Sequence, residues 1–519
     1  MLNLVPYPKV CRERRGEFLL TRRTRIVGGG AAAAMGEYLA GRLRPATGFP
    51  LKVQKTGRGE GIIRLSLTGP QRGLGDEGYR LRVAPEGVEL SAPAEAGLLY
   101  GIQTFLQLLP DAIESQWRVP KMDPLPRDCV LPKGWKPQRW FAPCVEIEDR
   151  PSFEWRGFML DCSRHFRSLE TLKWCVEKMV RLKMNRFHLH LTDNHGWRID
   201  VPDWPKLTKV GGFVEPEPRR QGFYTADDIR EIVRYAAERN VMVIPEIDLP
   251  GHCYSAVASY PELCCTGRPR RNDMSHFHQL DILCAGNDGV YDFVRDVLAE
   301  AMRLFPAPYV HIGGDEAPKN RWRVCPKCRA RIRDEGLQDE SELQAYFIDR
   351  VAEMVRREGK RIIAWDDVLA GHPEPDVIVH WWSSARGVVA PLEAARRGHQ
   401  VICSRSDWNY FGAWSWQLEP FYTRAEYLPR EFTGFREERP AGHPDPAEWD
   451  GILGAECCMW GESTPDALLS SRIFPTILAN AELQWHYRHP RQRDYPSFQR
   501  RVRSLQDYFD GTARLNWGS

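Results

Sequence analysis

Residues 310–318 read VHIGGDEAP: an apolar run enters two glycines and then sets two carboxylates side by side, Asp315 and Glu316. Adjacent like charges perturb each other's proton affinity, and a pair held in unequal surroundings divides acid from base work. Other apolar runs end in comparable groups. WRGFMLD ends in Asp161, followed by Arg164 and His165, and NRFHLHLTDNHGW reaches Asp193 and Trp197. VMVIPEIDLPGH carries Asp248 and His252, and RIIAWDD carries Trp365 and Asp367. DVIVHWW ends in Trp381 and Trp382, and GILGAECCMWGE leads to Trp460 and Glu462. One acid at a strand end is more often a helix cap than a catalyst. Seven ends rich in acids, His, Arg and Trp exceed what capping requires. Indoles offer flat apolar walls for sugar faces, while Asp, Glu and Arg hydrogen-bond hydroxyls. With no G-x-S-x-G, no phosphate loop and no evident metal cluster, a carbohydrate site fits best.

The elements that must position these groups follow from periodicity. Apolar runs at 155–161, 185–193, 241–248, 309–315, 361–367, 376–382, 400–404 and 451–456 predict strands. Between them, 168–183, 225–240, 289–305 and 342–359 predict amphipathic helices, with Ser168 and Thr225 as caps and Asp228 completing a capping box. Eight continuous apolar strands alternating with helices predict an α/β fold, a (β/α)8 TIM barrel whose chemistry sits at the C-terminal strand ends. A doubly wound sheet is the fallback, but no Gly-rich dinucleotide turn follows the first strand.

Residues 1–110 predict a small α+β unit, with strands at 24–27, 61–67, 79–83 and 87–91 and helices at 31–43 and 94–109. Residues 110–150 are rich in Pro and Trp and read as a linker with one or two strands. The expected domains are 1–150, N-terminal unit plus linker; 151–490, the barrel; and 491–519, a C-terminal helical segment packed on it.

The chain has 519 residues, 42% of them hydrophobic, with 72 Lys plus Arg against 69 Asp plus Glu. Mean hydropathy is −0.48. This balance argues against nucleic acid as a partner, and the Arg-bearing stretches 139–150 and 268–271 read as solvated loops. No run approaches a transmembrane length of roughly 18 apolar residues, so no membrane partner is expected. MLNLVPYPKV has neither a basic nor an apolar leader region, and no Asn-x-Ser/Thr site occurs. A cytoplasmic location is favoured over a secreted or periplasmic one, and a homodimer is left open. The 14 cysteines are scattered, as for free thiols in a reducing compartment. Cys325 and Cys328 form one C-x-x-C, but no second C-x-x-C or H-x-x-x-H follows, so it reads as a turn between helices. Cys264 or Cys265 with Cys284 could close a loop disulfide. No metal and no cofactor are expected.

HIGGDEAPKNRW resembles the signature of glycoside hydrolase family 20, the β-N-acetylhexosaminidases. WRGFMLDCSRHF, NRFHLHLTDNHGWRI, IPEIDLPGH and CMWGE are similar to the family's other motifs in the family's order. The resemblance runs from about Phe153 to about Arg488, and the first 110 residues or so resemble the small domain that commonly precedes this barrel. It implies an exo-acting, retaining enzyme on terminal β-linked GlcNAc or GalNAc of an oligosaccharide or glycoconjugate. In this family the substrate's 2-acetamido oxygen is the nucleophile and an oxazolinium intermediate forms. Glu316 is then the general acid and base, and Asp315 orients the acetamide. His252 and Asp193 support the acid, and Asp248 orients its neighbours. Arg164 and Glu462 grip ring hydroxyls, Trp365, Trp382 and Trp460 form walls, and Tyr410 bonds the acetamide oxygen. Of Trp381 and Trp382, the spacing to Arg386 and Gly387 favours Trp382 as the inward one. Alternatives are a lacto-N-biosidase-like or substituted-GlcNAc-specific glycosidase, or a non-catalytic sugar-binding barrel.

Two positions depart from the family pattern. Tyr410-Phe411-Gly412 lacks the usual Asp at its third place, which predicts altered tolerance at O6 or O4, with Trp408, Trp414 and Trp416 close by to rebuild a wall. Asn194 stands where Asp is common, with a minor effect expected.

Overall fold

Eight short strands pair in parallel and in chain order: Trp155–Asp161, Arg186–His190, Met242–Glu246, Tyr309–His311, Arg361–Trp365, Ile378–Trp381, Val401–Cys403 and Ile452–Met459. The last pairs back onto the first, Gly454 opposite Trp155, which closes the ring. The computed structural model describes residues 2–114, 138–214, 217–269, 280–384, 389–411, 418–425, 451–488 and 492–505. Helices Leu169–Arg181, Ala226–Ala237, Asp288–Leu304 and Glu340–Arg357 separate successive strands. The (β/α)8 barrel read from periodicity is therefore present. Ser168 Oγ accepts from the Thr171 amide at 3.1 Å. Thr225 and Asp228 form the reciprocal capping box that satisfies two orphan amides.

The strands are apolar along their length because they are covered on both faces. Their inward residues stack in layers. Trp155, Ile244, Ile363, Ile378 and Ile402 form an apolar floor. Two residues further along several strands, a polar layer carries His188, Glu246, His311, His380 and Glu456, all buried. Above it lie Met159, Trp365 and Cys458.

By internal contacts the chain divides into two compact units. One holds the residues up to Ser152 with Lys178–Lys183 and the stretch from Ile477 onward; the other holds Phe153–Glu177 and Met184–Thr476. The first is built on a seven-stranded mixed sheet. Its strands include Arg25–Val27, Ile62–Leu67, Tyr79–Ala84 and Gly87–Ala92, with helices Ala31–Thr47 and Glu95–Leu108. Its buried Lys183 ammonium is paired with Asp149 at 3.2 Å, and Tyr79 and Trp485 donate to the same carboxylate. Helix Tyr495–Ser504 also belongs to this unit, and its Arg501 forks onto Glu482 at 2.7 and 3.0 Å.

Three of its strands escape the periodicity, the shortest being the two-residue Val53–Gln54. Val10–Leu19 lies at the sheet edge and is mostly exposed, so no apolar alternation marks it. Phe141–Asp149 runs through the stretch read above as a solvated, Arg-bounded loop, and that reading is corrected. It is an inner strand, paired with Val10–Leu19 on one side and Tyr79–Ala84 on the other, and it buries Ala142, Cys144, Val145 and Ile147. The arginines flank the strand and do not describe it. Residues 270 and 271 of the second Arg-bearing stretch lie outside the described residues.

Candidate active site

The loop after strand Tyr309–His311 takes a backbone course that most side chains would forbid. Gly313 and Gly314 have φ of +65° and +96°, and Glu316 has φ of +45°. A Cβ on Gly313 would sit 1.7 Å from Asp248 Oδ1, so only glycine lets the strand end pass this carboxylate. The Gly314 amide donates to Asp248 Oδ1 at 3.3 Å, and Gln344 Nε2 donates to the Gly314 carbonyl at 2.7 Å. The chain thus turns sharply and presents Asp315 and Glu316 at the barrel mouth. A non-glycine residue in left-handed backbone is a strained feature that clusters at functional sites. His252, across the site, has it too, with φ of +46°.

His252 links the carboxylates. Its Nδ1 lies 3.3 Å from Asp193 Oδ2, and its Nε2 lies 3.3 Å from Glu316 Oε2 and 3.7 Å from Asp315 Oδ2. Burial works against a charged ring, but Asp193 and Asp315 overcome it and hold the imidazole well above its ordinary pKa. Burial raises Asp315 to about 7; His252 opposes the rise, while Asp367 and Glu316 add to it. Asp248 is pushed well above its ordinary value by burial and by Asp315. Asp193 goes the other way: Arg164 and His252 outweigh burial and keep it ionised.

Arg164 is almost fully buried and faces three acids. Its guanidinium lies 2.7 Å from Asp193, 3.4 Å from Asp161 and 3.5 Å from Glu462. Asp161 also accepts the amides of Ser163, Arg164 and Gly461, which anchors the loops after the first and last barrel strands. The guanidinium stacks 4.8 Å above the Trp460 ring. Glu462 is 30% exposed, and burial raises its pKa although Arg164 opposes this.

Aromatic rings complete the mouth. Tyr410 is 6.3 Å from Trp382 with near-parallel planes and 5.5 Å from Trp460. Trp365 is 6.2 Å from Trp460 and is buried, with its Nε1 donating to Glu246 at 2.9 Å. His380 joins the inner polar layer and Trp382 follows it on the same side, where its Nε1 donates to Asp367 at 2.8 Å. Trp381, between them, is buried on the other face and donates to the Ser383 carbonyl.

The structure thus gathers at one barrel end the candidate site residues Asp315, Glu316, His252, Asp193, Arg164, Asp248, Trp365, Trp382, Tyr410, Trp460 and Glu462. Asn194 accepts the Tyr254 amide at 3.1 Å and shapes the loop carrying His252. Gly412, Trp414, Trp416, Arg386 and Gly387 lie outside the described residues.

Sequence reasoning passed over the layer beneath. Glu246 receives His188 at 3.1 Å, His311 at 3.1 Å and Trp365, and it also bonds His190. His190 in turn reaches Asp193 at 3.0 Å, so the layer is continuous with the site. The signal was present in HLHL, where His188 and His190 must share a face at period two. Asp161 and Asp367 were visible only as strand-end acids.

The reading of Cys325 and Cys328 as a turn alone also changes. They do sit where helix Asn320–Val324 meets helix Pro326–Asp334. Cys265 and Cys284, not joined to each other by a disulfide, converge on them, and the four thiols form one group.

Comparison with known proteins agrees with this architecture. Residues 153–488 match the model of "Glycosyl hydrolase family 20, catalytic domain", and residues 1–150 match "Glycosyl hydrolase family 20, domain 2". A beta-hexosaminidase of Porphyromonas gingivalis is 36% identical over 93% of the chain, which spans 60% of that relative's length. The beta-N-acetylhexosaminidase of Bacteroides fragilis superposes with a TM-score of 0.79 at 30% identity, covering 99% of both chains. An exo-β-N-acetylglucosaminidase from Vibrio harveyi, solved with N-acetylglucosamine, gives a TM-score of 0.81 at 29% identity over 98% of this chain and 77% of its own. The chain belongs to glycosyl hydrolase family 20.

Proposed function

We propose that the chain hydrolyses terminal β-linked N-acetylhexosamine, GlcNAc or GalNAc, from oligosaccharides or glycoconjugates, with retention and with the substrate's acetamide as nucleophile. The observation that carries this is the placement of Asp315 and Glu316 side by side on one tight turn, Glu316 with φ of +45°. An ordinary retaining pair flanks the scissile bond from both sides about 5–5.5 Å apart. Consecutive residues on a turn suit two jobs on one side of a sugar. Glu316, 25% exposed and against His252, serves the leaving oxygen. Asp315 is the more buried, and its Oδ1 has no hydrogen-bond partner among the described residues. An acetamide N–H would satisfy it.

In the first step the acetamide oxygen bonds to the anomeric carbon as the glycosidic C–O bond breaks. The Glu316 proton passes to the departing oxygen. The positive charge of the oxazolinium ring is offset by the Asp315 carboxylate. In the second step Glu316 takes a proton from water as it attacks the same carbon, the acetamide is released and Glu316 is protonated again. Arg164 and Glu462 bind ring hydroxyls. Trp365, Trp382 and Trp460 enclose the acetamide methyl and the ring, and Tyr410 holds the acetamide oxygen. The similar proteins named hexosaminidases, and the Vibrio harveyi complex with N-acetylglucosamine, support this choice of sugar.

Release of p-nitrophenol from β-GlcNAc and β-GalNAc substrates tests it. Wild type should turn over at least one of them. Asp315→Asn should lose roughly 10²–10³-fold in kcat, the scale of losing one electrostatic stabiliser. An inert wild type with both sugars overturns the reading.

A further inference from the structure

Cys265, Cys284 and the Cys325–Cys328 turn come from three separate segments, yet the four sulfurs all lie within 4.8 Å of one another. The Cys265–Cys328 and Cys284–Cys325 separations are each 3.8 Å, and Cys284–Cys328 is 3.6 Å. A disulfide would need about 2.05 Å. Tetrahedral Zn²⁺ with four Zn–S bonds of about 2.3 Å has S···S edges near 3.8 Å. We propose that these four cysteines form a structural Zn²⁺ site, unrelated to the hydrolytic groups in chemistry but tied to them through the backbone.

The surroundings are built for such a knuckle. Cys325 and Cys328 supply the C-x-x-C at a helix start, and the other two ligands come from upstream, 41 residues before Cys325 and 63 before Cys328. Gly286, just after Cys284, lies so close to this turn that a Cβ there would be 2.2 Å from the Lys327 carbonyl carbon and 2.4 Å from the Cys328 nitrogen. Leu263, Leu283 and Trp322 are almost fully buried, and Cys265 is the one partly exposed ligand. Four thiols and one Zn²⁺ give a Zn(SR)₄ unit of charge −2 with release of four protons. Lys327 and Arg329 flank Cys328 in a basic segment suited to that charge.

The site would fasten two active-site loops together. The Leu283 amide bonds the Pro250 carbonyl at 3.1 Å, two residues before His252. Trp322 Nε1 bonds the Leu283 carbonyl at 2.9 Å, six residues after Glu316. A metal binding Cys284 to Cys325 and Cys328 therefore holds the Glu316 segment against the His252 segment.

Metal content of the full chain, purified without a metal-affinity step, decides the matter. About one zinc per chain is expected, with an X-ray absorption shell of four sulfurs at about 2.3 Å. A mercurial reagent should release that zinc as it titrates the thiols. Cys328→Ser should lose the metal, and Cys264→Ser, beside the site but outside the group, should keep it. If Cys328→Ser does not fold, the wild-type measurements decide alone. Four free thiols without metal, or a disulfide among the four by mass spectrometry, overturn the site. Iron in place of zinc overturns the assignment to zinc.

Discussion

Glu316 Oε2 stands 3.3 Å from His252 Nε2, and both residues hold left-handed backbone, at φ +45° and +46°. Two strained residues meeting through their side chains mark a geometry enforced by the surrounding fold. Behind His252, Asp193 ties down the other ring nitrogen. In the mechanism proposed above, His252 acts through Glu316. Removing it should matter most when the leaving group needs its proton. His252→Ala should cost about 10²-fold in kcat on an alkyl β-GlcNAc glycoside, and clearly less on p-nitrophenyl β-GlcNAc, whose leaving group needs little acid help. An equal loss on both substrates would show that the imidazole serves folding and not the acid.

Asp315 has a pKa raised to about 7 by burial, against the pull of His252. In the mechanism proposed above it must be ionised to balance an oxazolinium ion. The acidic limb of kcat/KM, which reports the free enzyme, should therefore include a rise with pH towards about 7. A bound acetamide N–H favours the carboxylate, so the corresponding limb in kcat should lie at lower pH. Asp315→Asn should remove that limb from both profiles. Identical limbs in wild type and variant would assign the ionisation elsewhere.

Arg164 faces Asp161, Asp193 and Glu462 from an almost fully buried position. Arg164→Ala removes the guanidinium shared by the fully buried Asp161 and Asp193, and breaking a buried ion pair of this kind typically costs about 3–5 kcal/mol. Arg164→Lys keeps the charge and gives up the planar fork. The lysine variant should fold with near wild-type stability in urea but show a KM raised about tenfold. A normal KM for it would exclude guanidinium contact with the sugar.

Which parts of this site are legible in sequence follows from how each group is encoded. Asp315, Glu316, Asp248 and His252 sit in contiguous motifs whose strand and turn are read together, so their convergence follows from the barrel itself. Trp382 was favoured over Trp381 by its spacing to Arg386 and Gly387, and strand parity with the inward His380 places it on the site's side. Glu246, His311 and His380 were passed over because each is a single polar residue in an apolar strand, and His188 because its alternation with His190 in HLHL was not read as an inward face. Only closure of the ring reveals that they form one layer. The four-cysteine group was hidden for a different reason: half of it precedes the C-x-x-C, and only the loop contacts around Leu283 bring that half across.

The buried layer makes alkaline stability a measurable property. Burial disfavours the His188 imidazolium, yet Glu456 and Glu246 raise its pKa from 6.5 to about 9. The folded value exceeds the unfolded one. Its contribution is thus fully present below about 6.5 and is lost as pH rises through about 9. A shift of that size corresponds to a contribution on the order of 3 kcal/mol. Unfolding in urea at pH 6 and pH 9 should show this decline in wild type. Glu456→Gln, which removes one partner 2.7 Å away, should weaken it. The same difference between the two pH values in both proteins would place the dependence in other groups.

Gly313 is the hinge on which the acidic pair depends. Its φ of +65° suits glycine, and a methyl group there would fall 1.7 Å from Asp248 Oδ1. Asp248 cannot retreat freely, because its own amide is tied to Thr192 and its Oδ1 accepts the Gly314 amide. Relief must come from the turn that presents Asp315 and Glu316, and a displacement of about 1 Å costs roughly 10²-fold in a positioned reaction. Gly313→Ala should therefore lose at least that much in kcat while remaining folded by circular dichroism. Gly289→Ala, at a helix start where a Cβ meets only the end of the Asn287 side chain, should leave activity unchanged. A Gly313→Ala enzyme with wild-type kcat would mean that the turn can move without carrying the two carboxylates with it.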